Sequence, residues 1–369
     1  MKKFLVKILG NEKYQSFSIP LFAILLSLIV GAVVIALLGK NPFAAYGNLL
    51  QGSGILPKPR YAGGKSMLTD FASFVNYWTP MIFAALAVTV ALKAGLFNIG
   101  VSGQMLAAGF VSSILVGYSE LAAPIAKPLV ILISLVIGGI VGAMIGWLKY
   151  KFNINEVVSS IMINYNIQYV VAFMINTKYV DPVSRQSSNI SEASRLTLMN
   201  TQIGNFKYDI PLGFILAIFI VFVIQFVFSK TTFGYELKAV GSNRKAAKYA
   251  GIKVGKNMVF AMLISGALAG LAGATYYLGY FGSIQPKVLA ATGYDAIAVA
   301  LLGNSNPIGI LFSSLLISII GKGSTYMSSA AGLDAEIASV ITGLILLFSA
   351  CSVLIQFLVK KAKDQMEER

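Results

Sequence analysis

Two groups of residues in this chain have types and spacing suited to more than packing. The first is polar and sits among apolar neighbours. In Ala94-Gly95-Leu96-Phe97-Asn98-Ile99-Gly100-Val101-Ser102-Gly103-Gln104, three glycines and three polar side chains interrupt an apolar region. Backbone leaves helical bonding inside lipid only where protein or a water-filled path satisfies it. Discontinuous helices of this kind lie beside translocation paths. The side-chain amides of Asn98 and Gln104 both donate and accept, which suits a polar, uncharged solute as well as a bond between helices. Ser102 lies between them. Further along, Asn155 and Glu156 open another apolar run, and Glu156 falls in a first helical turn, where a negative charge suits the helix dipole. Asn164 and Gln168, four residues apart, share a helix face. That face points into the bundle because polar groups avoid lipid. For this whole set, lining a path and bonding between helices are both open readings.

The second group is basic. Residues 233–255 and their flanks hold Lys230, Lys238, Arg244, Lys245, Lys248, Lys253 and Lys256 against one acid, Glu236. Such an excess between two apolar runs marks the cytoplasmic side of a membrane protein. Asn243 is placed to cap a short helix through Arg244, Ala246, Ala247 and Tyr249, and Gly251 to stop it. A short helix with small residues on one face fits a groove on another protein, so this stretch is expected to dock on a soluble motor subunit.

Other chemistries are excluded. The chain has no His and a single Cys, Cys351, so a disulfide within the chain and a Cys/His metal site are ruled out. Gly63-Gly64-Lys65-Ser66 resembles the end of a phosphate-binding loop, but Pro59 stands where the motif needs its first glycine. No other stretch fits, so the chain is not expected to hydrolyse ATP, and no catalytic residue, metal or cofactor is expected. Buried carboxylate relays of the kind proton-coupled carriers need are scarce: Asp295, Asp334 and Glu336 come near a span, all close to an edge. Energy supplied by a partner is the expectation.

The elements that must position these residues follow from composition. The 369 residues are 57% hydrophobic and 12% charged, with a mean hydropathy of +0.77. This describes a polytopic membrane protein rather than a large soluble core. The net charge of +15 does not point to nucleic acid, because the cations sit in loops between apolar runs. Ten runs can be read, at 19–38, 80–93, 98–117, 129–148, 156–176, 211–228, 258–280, 288–302, 308–320 and 336–358. Those at 80–93 and 288–302 are short, and the latter is a full or a re-entrant crossing. The expected fold is all-α: one polytopic integral-membrane helical bundle spanning 1–369, with about ten transmembrane helices and at least one broken or re-entrant segment. Segments 41–78 and 177–210 are expected outside, with Trp78 at the interface, and 230–257 inside. Both termini are expected in the cytoplasm, because Lys2, Lys3, Lys7, Lys13, Lys360, Lys361, Lys363 and Arg369 flank the first and last runs. The small residues Gly266, Ala267, Ala269, Gly270, Ala272, Gly273 and Ala274 let helix backbones approach closely, and tight packing is their expected role.

With these stretches in view, the chain resembles the permease subunits of bacterial ATP-binding-cassette importers, in the branch that includes ribose-type and nucleoside-type members. Three stretches carry the resemblance: GLFNIGVSGQM at 95–105, NEVVSSIMINY at 155–165 and GYELKAVGSNRKAAKYAGI at 234–252. The first two look most like nucleoside-type members, in which the position of Ser102 is usually Glu. The long segment 41–77 fits the same branch. The resemblance implies that the basic stretch is a coupling helix, with Gly234, Glu236, Gly241, Asn243, Arg244, Ala246, Ala247 and Gly251 in the family motif. It also implies a cytoplasmic ATP-binding subunit, a second homologous permease and an extracytoplasmic substrate-binding protein, often a lipoprotein, at a bacterial plasma membrane. A nucleoside importer is the leading expectation. A monosaccharide such as ribose or galactose as cargo of the same machine is the alternative. An ion-coupled secondary carrier and a non-transporting scaffold are readings of other classes.

Overall fold

The computed structural model of the chain describes residues 15–61, 65–203, 206–334 and 336–351, together with 357 and 361. Lys2, Lys3, Lys7 and Lys13, the pair Gly63-Gly64, and Lys360, Lys363 and Arg369 lie outside the described residues.

From the N-terminus come α1 (Gln15–Leu37), α2 (Pro42–Gly52), α3 (Met67–Lys93) and α4 (Val101–Ser112), the last extended by a π turn over Ser113–Gly117. Next are α5 (Ala123–Phe152) and α6 (Glu156–Met174, with a π turn at Ile175–Tyr179), then a hairpin of β1 (Thr197–Ile203) and β2 (Phe206–Pro211). After the hairpin come α7 (Leu212–Lys230), α8 (Thr232–Ser242), α9 (Arg244–Tyr249) and α10 (Val254–Thr275, with a π turn at Tyr276–Phe281). The last helices are α11 (Thr292–Leu302), α12 (Pro307–Ala331) and α13 (Glu336–Ala350). Among the described residues, α1, α3, α5, α6, α7, α10 and α12 are the seven helices long and apolar enough to cross a membrane. Helices α4, α11 and α13 are apolar but shorter.

The outward faces read as lipid contacts. Along α5, Ile125, Leu132, Val136, Ile140 and Met144 are exposed, and along α7, Ile215, Phe219, Phe222 and Phe226. Their recurrence every three or four residues, and once every seven, is the stripe an α-helix turns to an apolar surrounding. Opposite that stripe, α5 meets α10 along a seam of small residues. A Cβ on Gly138 would lie 2.3 Å from the Gly266 carbonyl oxygen, and one on Gly270 would lie 1.9 Å from that of Ser134. Gly142 stands in the same relation to the Met262 carbonyl, at 2.2 Å. Spacing by four on both helices keeps these contacts on one line, so two backbones touch directly. The small-residue packing expected of 266–274 is therefore present.

Several expectations need correction. The segment 41–78 is not a plain loop: it holds α2, capped by Asn41, and the first turns of α3. Ser66 and Thr69 form a reciprocal capping box that starts α3, so Ser66 is spent on a helix end. The second span thus begins at Met67 rather than 80 and carries Pro80 in its interior. Neighbouring helices tolerate such a proline by enclosing the gap it leaves in the ladder. Trp78 lies inside α3, and its indole N–H donates to Ser314 Oγ at 2.7 Å. The run expected at 308–320 continues to Ala331, through Lys322. The run at 288–302 is helical only over 11 residues, about 16 Å of rise against a hydrocarbon core of about 30 Å. The segment 177–210 departs from all-α through the antiparallel hairpin. Its Arg195 donates to the carbonyls of Gly279 and Tyr280, where a cation suits the end of α10. Lys127 of α5 donates in turn to the Arg195 carbonyl.

Gly266→Leu is expected to force α5 and α10 apart and to abolish recovery of folded protein from membranes. Gly139→Ala, whose added methyl would meet its nearest atom at 3.6 Å, is expected to leave yield and thermal midpoint unchanged. Detergent-extracted yield and thermal unfolding of both variants check this.

Candidate translocation and coupling site

The chain leaves helical geometry between α3 and α4. Gly95 has a φ of +66°, and helical bonding resumes only at Val101. Asn98, 1% exposed, organises this turn. Its Oδ1 accepts from the Gly100 backbone N–H at 2.9 Å. Its amide nitrogen donates to Gln104 Oε1 at 3.0 Å and to Ser265 Oγ at 2.8 Å. Gln104 returns a bond to Asn98 Oδ1 at 3.3 Å. Ser265 completes the set by donating to the Ala87 carbonyl of α3.

Asn164 of α6 grips the same turn from the other side. Its Oδ1 accepts from Gly103 N–H at 3.1 Å, and its amide donates to the Ile99 carbonyl at 3.0 Å. Ser102 donates to the Ala290 carbonyl at 2.9 Å, and Gln168 to that of Lys287 at 2.6 Å. These two side chains hold the non-helical approach to α11. Gly293 supplies the room, since a Cβ there would lie 2.2 Å from Ser102 Oγ. Five of the seven expected path residues, Asn98, Ser102, Gln104, Asn164 and Gln168, thus act on two irregular backbone segments. Asn155 and Glu156 lie elsewhere. Asn155 caps α6 by accepting from Val157 N–H. Glu156 pairs with Lys149 at 3.0 Å, closing the α5–α6 corner, where Asn153 is left-handed.

The basic stretch forms two helices. Thr231 caps α8, and Asn243 caps α9 by accepting from the N–H groups of Lys245 and Ala246, both at 3.0 Å. Gly251, with φ +82°, follows the end of α9. Gly234 and Gly241 face inward: an added Cβ would lie 2.1 Å from the Val227 carbonyl oxygen in one case and 2.2 Å from that of Lys93 in the other. Ala247 is also buried. Glu236 accepts from the Asn257 amide of α10 at 2.8 Å. The exposed surface of α9 is therefore Arg244, Lys245, Ala246, Lys248 and Tyr249, the last 94% exposed.

Both groups meet at one point. Arg244 Nη2 donates to the Gly95 carbonyl at 2.8 Å, and a Cβ on Gly95 would touch Gly241 Cα at 3.0 Å. The exposed short helix is thus joined directly to the turn that Asn98 organises. Sequence reading missed Ser265, which connects the turn to α3. The only signal was a hydroxyl at the head of the small-residue run.

Residues 71–350 match the family described as branched-chain amino acid transport system / permease component. The chain is 33% identical over 363 residues to the nucleoside ABC transporter permease protein NupB of Lactococcus lactis, covering 96% of each. It is 34% identical to the guanosine ABC transporter permease protein NupP of Bacillus subtilis, over 96% of this chain and 99% of that one. Identity to the glucose ABC transporter permease protein TsgB13 of Haloferax volcanii is 27%, over 91% of this chain and 87% of that one. No solved structure matches.

Asn98→Leu is expected to orphan the Gly100 N–H and both the oxygen and the nitrogen of the Gln104 amide, at about 1–3 kcal/mol for each buried group left unpaired. The thermal midpoint in detergent is expected to fall clearly, and to fall less for Gln168→Ala, whose side chain is part-exposed. Equal midpoints for Asn98→Leu and the parent chain would contradict the bonded role.

Proposed function

Because the chain belongs to the family of permease components of branched-chain amino acid transport systems, we propose that it is a transmembrane pore subunit of an ATP-driven nucleoside importer. The observation that carries this reading is similarity along nearly the whole chain to permeases named for nucleosides and for guanosine.

In this reading the chain does no chemistry. A cytoplasmic ATP-binding subunit hydrolyses ATP, a second homologous permease supplies the other wall of the pore, and an extracytoplasmic substrate-binding protein delivers the cargo. The seven long and three shorter apolar helices together make ten passes through a bacterial plasma membrane, α11 completing its pass with the non-helical segment 282–291 before it. Both termini and the segment 230–257 are cytoplasmic, and 41–78 and 177–210 lie outside. Helix α9 seats on the ATP-binding subunit through Ala246, Tyr249 and the lysines beside them. Its displacement passes through Gly241 and Arg244 to the turn at Gly95, and from there through Asn98 to α3 and α10 and through Asn164 to α6. Direct contact of backbone at Gly241 supports this, because such a joint has no side chain to absorb the motion.

A second reading keeps the machine and changes the cargo to a monosaccharide, favoured by the similarity to a permease named for glucose. Labelled uridine, guanosine and ribose separate the two. Chain-dependent uptake of the nucleosides, surviving collapse of ion gradients while ATP is maintained, is the expected result. Uptake of ribose alone would transfer the function to sugars, and uptake lost with the gradient would point to an ion-coupled carrier.

Ala246→Asp is expected to cut uptake at least tenfold while membrane insertion stays normal, because the exposed small residue meets the partner's groove. Co-purification of the ATP-binding subunit with the variant, compared with the parent chain, checks this.

A further inference from the structure

Helix α12 carries a lysine that neither the amide cluster nor the docking helix uses. Lys322 lies about 22 Å along the helix axis from Pro307, toward the far end of a segment long and apolar enough to cross a membrane, level with α2, where a Cβ on Gly323 would lie 2.3 Å from the Leu49 carbonyl oxygen. Its Nζ donates to Tyr280 Oη at 2.6 Å. The same nitrogen lies 4.9 Å from the Tyr280 ring centre, at its hydroxyl edge, and 6.0 Å from that of Tyr77, the outer limit at which an aromatic face holds a cation. The two rings meet edge to face at 5.4 Å. Phe281 continues the row, 4.8 Å from Tyr280 and 4.8 Å from Tyr276. Asp295, half-buried, lies in the first turn of α11, which packs along α3, the helix of Tyr77. Among the described residues no carboxylate lies within ion-pair distance of Lys322.

None of these side chains is closed off. Tyr77, Tyr276, Tyr280, Asp295 and Lys322 are all half-buried, and Phe281 is 51% exposed. An ammonium and a carboxylate left partly open at membrane depth are costly against lipid and mark solute pathways. On α5 and α7 the cations Lys127, Lys149, Lys151 and Lys230 lie near the helix ends; between them the exposed large residues are aliphatic and aromatic. Next to the aromatic row opens a pocket lined by Gln186, Ser283 and Gln285 together with Tyr276, Phe281 and Val288. Gln186 accepts from Ser283 there at 2.7 Å.

We infer that the face formed by Tyr77, Tyr280, Phe281, Asp295 and Lys322 is a nucleoside-binding station within the pore. This rests on the nucleoside reading above and assigns it residues. Aromatic faces stack on any base, whatever its edge. Lys322 supplies donors for a base carbonyl or ring nitrogen, and Asp295 supplies acceptors for ribose hydroxyls. One cation and one anion leave little net charge, which fits a neutral nucleoside and not a phosphorylated one. Arrival at the station exchanges the Tyr280 hydroxyl for the base as the partner of Lys322, so the ammonium is not left bare when the site is empty.

The test uses the whole assembly in proteoliposomes: this chain, its partner permease, the ATP-binding subunit and the substrate-binding protein loaded to saturation. Uptake of labelled guanosine, uridine and ribose is read beside ATPase stimulation and the amount of assembled complex. In the unaltered assembly guanosine or uridine is taken up. Tyr280→Ala and Lys322→Met are expected to lower that uptake tenfold or more while assembled complex and ATPase stimulation stay near the parent level. Lys322→Arg, which keeps the cation, is expected to restore most of it. Uptake unchanged in both variants overturns the station. So does a parallel fall of uptake, ATPase stimulation and assembled complex, which would make the Lys322–Tyr280 bond a packing contact. If the unaltered assembly carries ribose and neither nucleoside, the cargo reading itself falls, and that arm is decided before any variant is measured.

Discussion

Backbone N–H and C=O groups inside a bilayer find no water, so each must find a partner in protein. The architecture of this chain turns on how that demand is met at two places where the helix ladder stops, 94–100 and 282–291. Asn98 accepts from Gly100, and Asn164 both accepts from Gly103 and donates to Ile99. Ser102 and Gln168 donate to Ala290 and Lys287. Side chains that look like solute ligands in a one-dimensional reading are thereby committed to main chain. A polar group fully satisfied in a low-dielectric interior stiffens its surroundings, and both irregular segments become parts of a rigid body instead of loops.

Rigidity matters because the exposed helix α9 is joined to one of those segments through Arg244 and the Gly95 carbonyl. Glycines set the distances: Gly241 lies on the Lys93 carbonyl, and Gly95 lies on Gly241. Where backbones touch with no intervening side chain, a displacement of one element is carried to the next with little loss. The α5–α10 seam repeats the device along two whole helices, and Ser265 of α10 bonds Asn98 and α3 together. A push on α9 is therefore applied to the core of the bundle, not to its surface. The aromatic face around Lys322 lies on α3, α10, α11 and α12, the first two joined in that core by Ser265 and the third packed on Ser102 through Gly293.

Much of the arrangement was legible before folding. Asn243 as a cap and Gly251 as a stop follow from side-chain reach and from the freedom of glycine at positive φ, and both stand in the structure. Interruption of the helix near Asn98 followed from glycine density. Other features were misread for local reasons. Pro80 looked like a helix start because proline disfavours a helix interior, yet packed neighbours carry α3 through it. Gly321-Lys322-Gly323 looked like the end of a span because its hydropathy drops, although α12 continues to Ala331. The resemblance puts Gly241 and Ala247 in the coupling motif, and the fold packs both on their own chain: Ala247 is buried, and a Cβ on Gly241 would lie 2.2 Å from the Lys93 carbonyl oxygen.

The sequence by itself determined the class of the molecule, the apolar segments, the short basic helix and the caps, because each depends on residues within a turn or two of one another. Tertiary structure alone decided the distant partners of the buried polar residues. Gly103 finds Asn164 across 61 positions, Arg244 finds Gly95 across 149, Asn98 finds Ser265 across 167, and Ser102 finds Ala290 across 188. Hydropathy carries no record of such pairings. They arise only when glycine seams bring backbones close enough for an amide of fixed, short reach to choose one carbonyl over another.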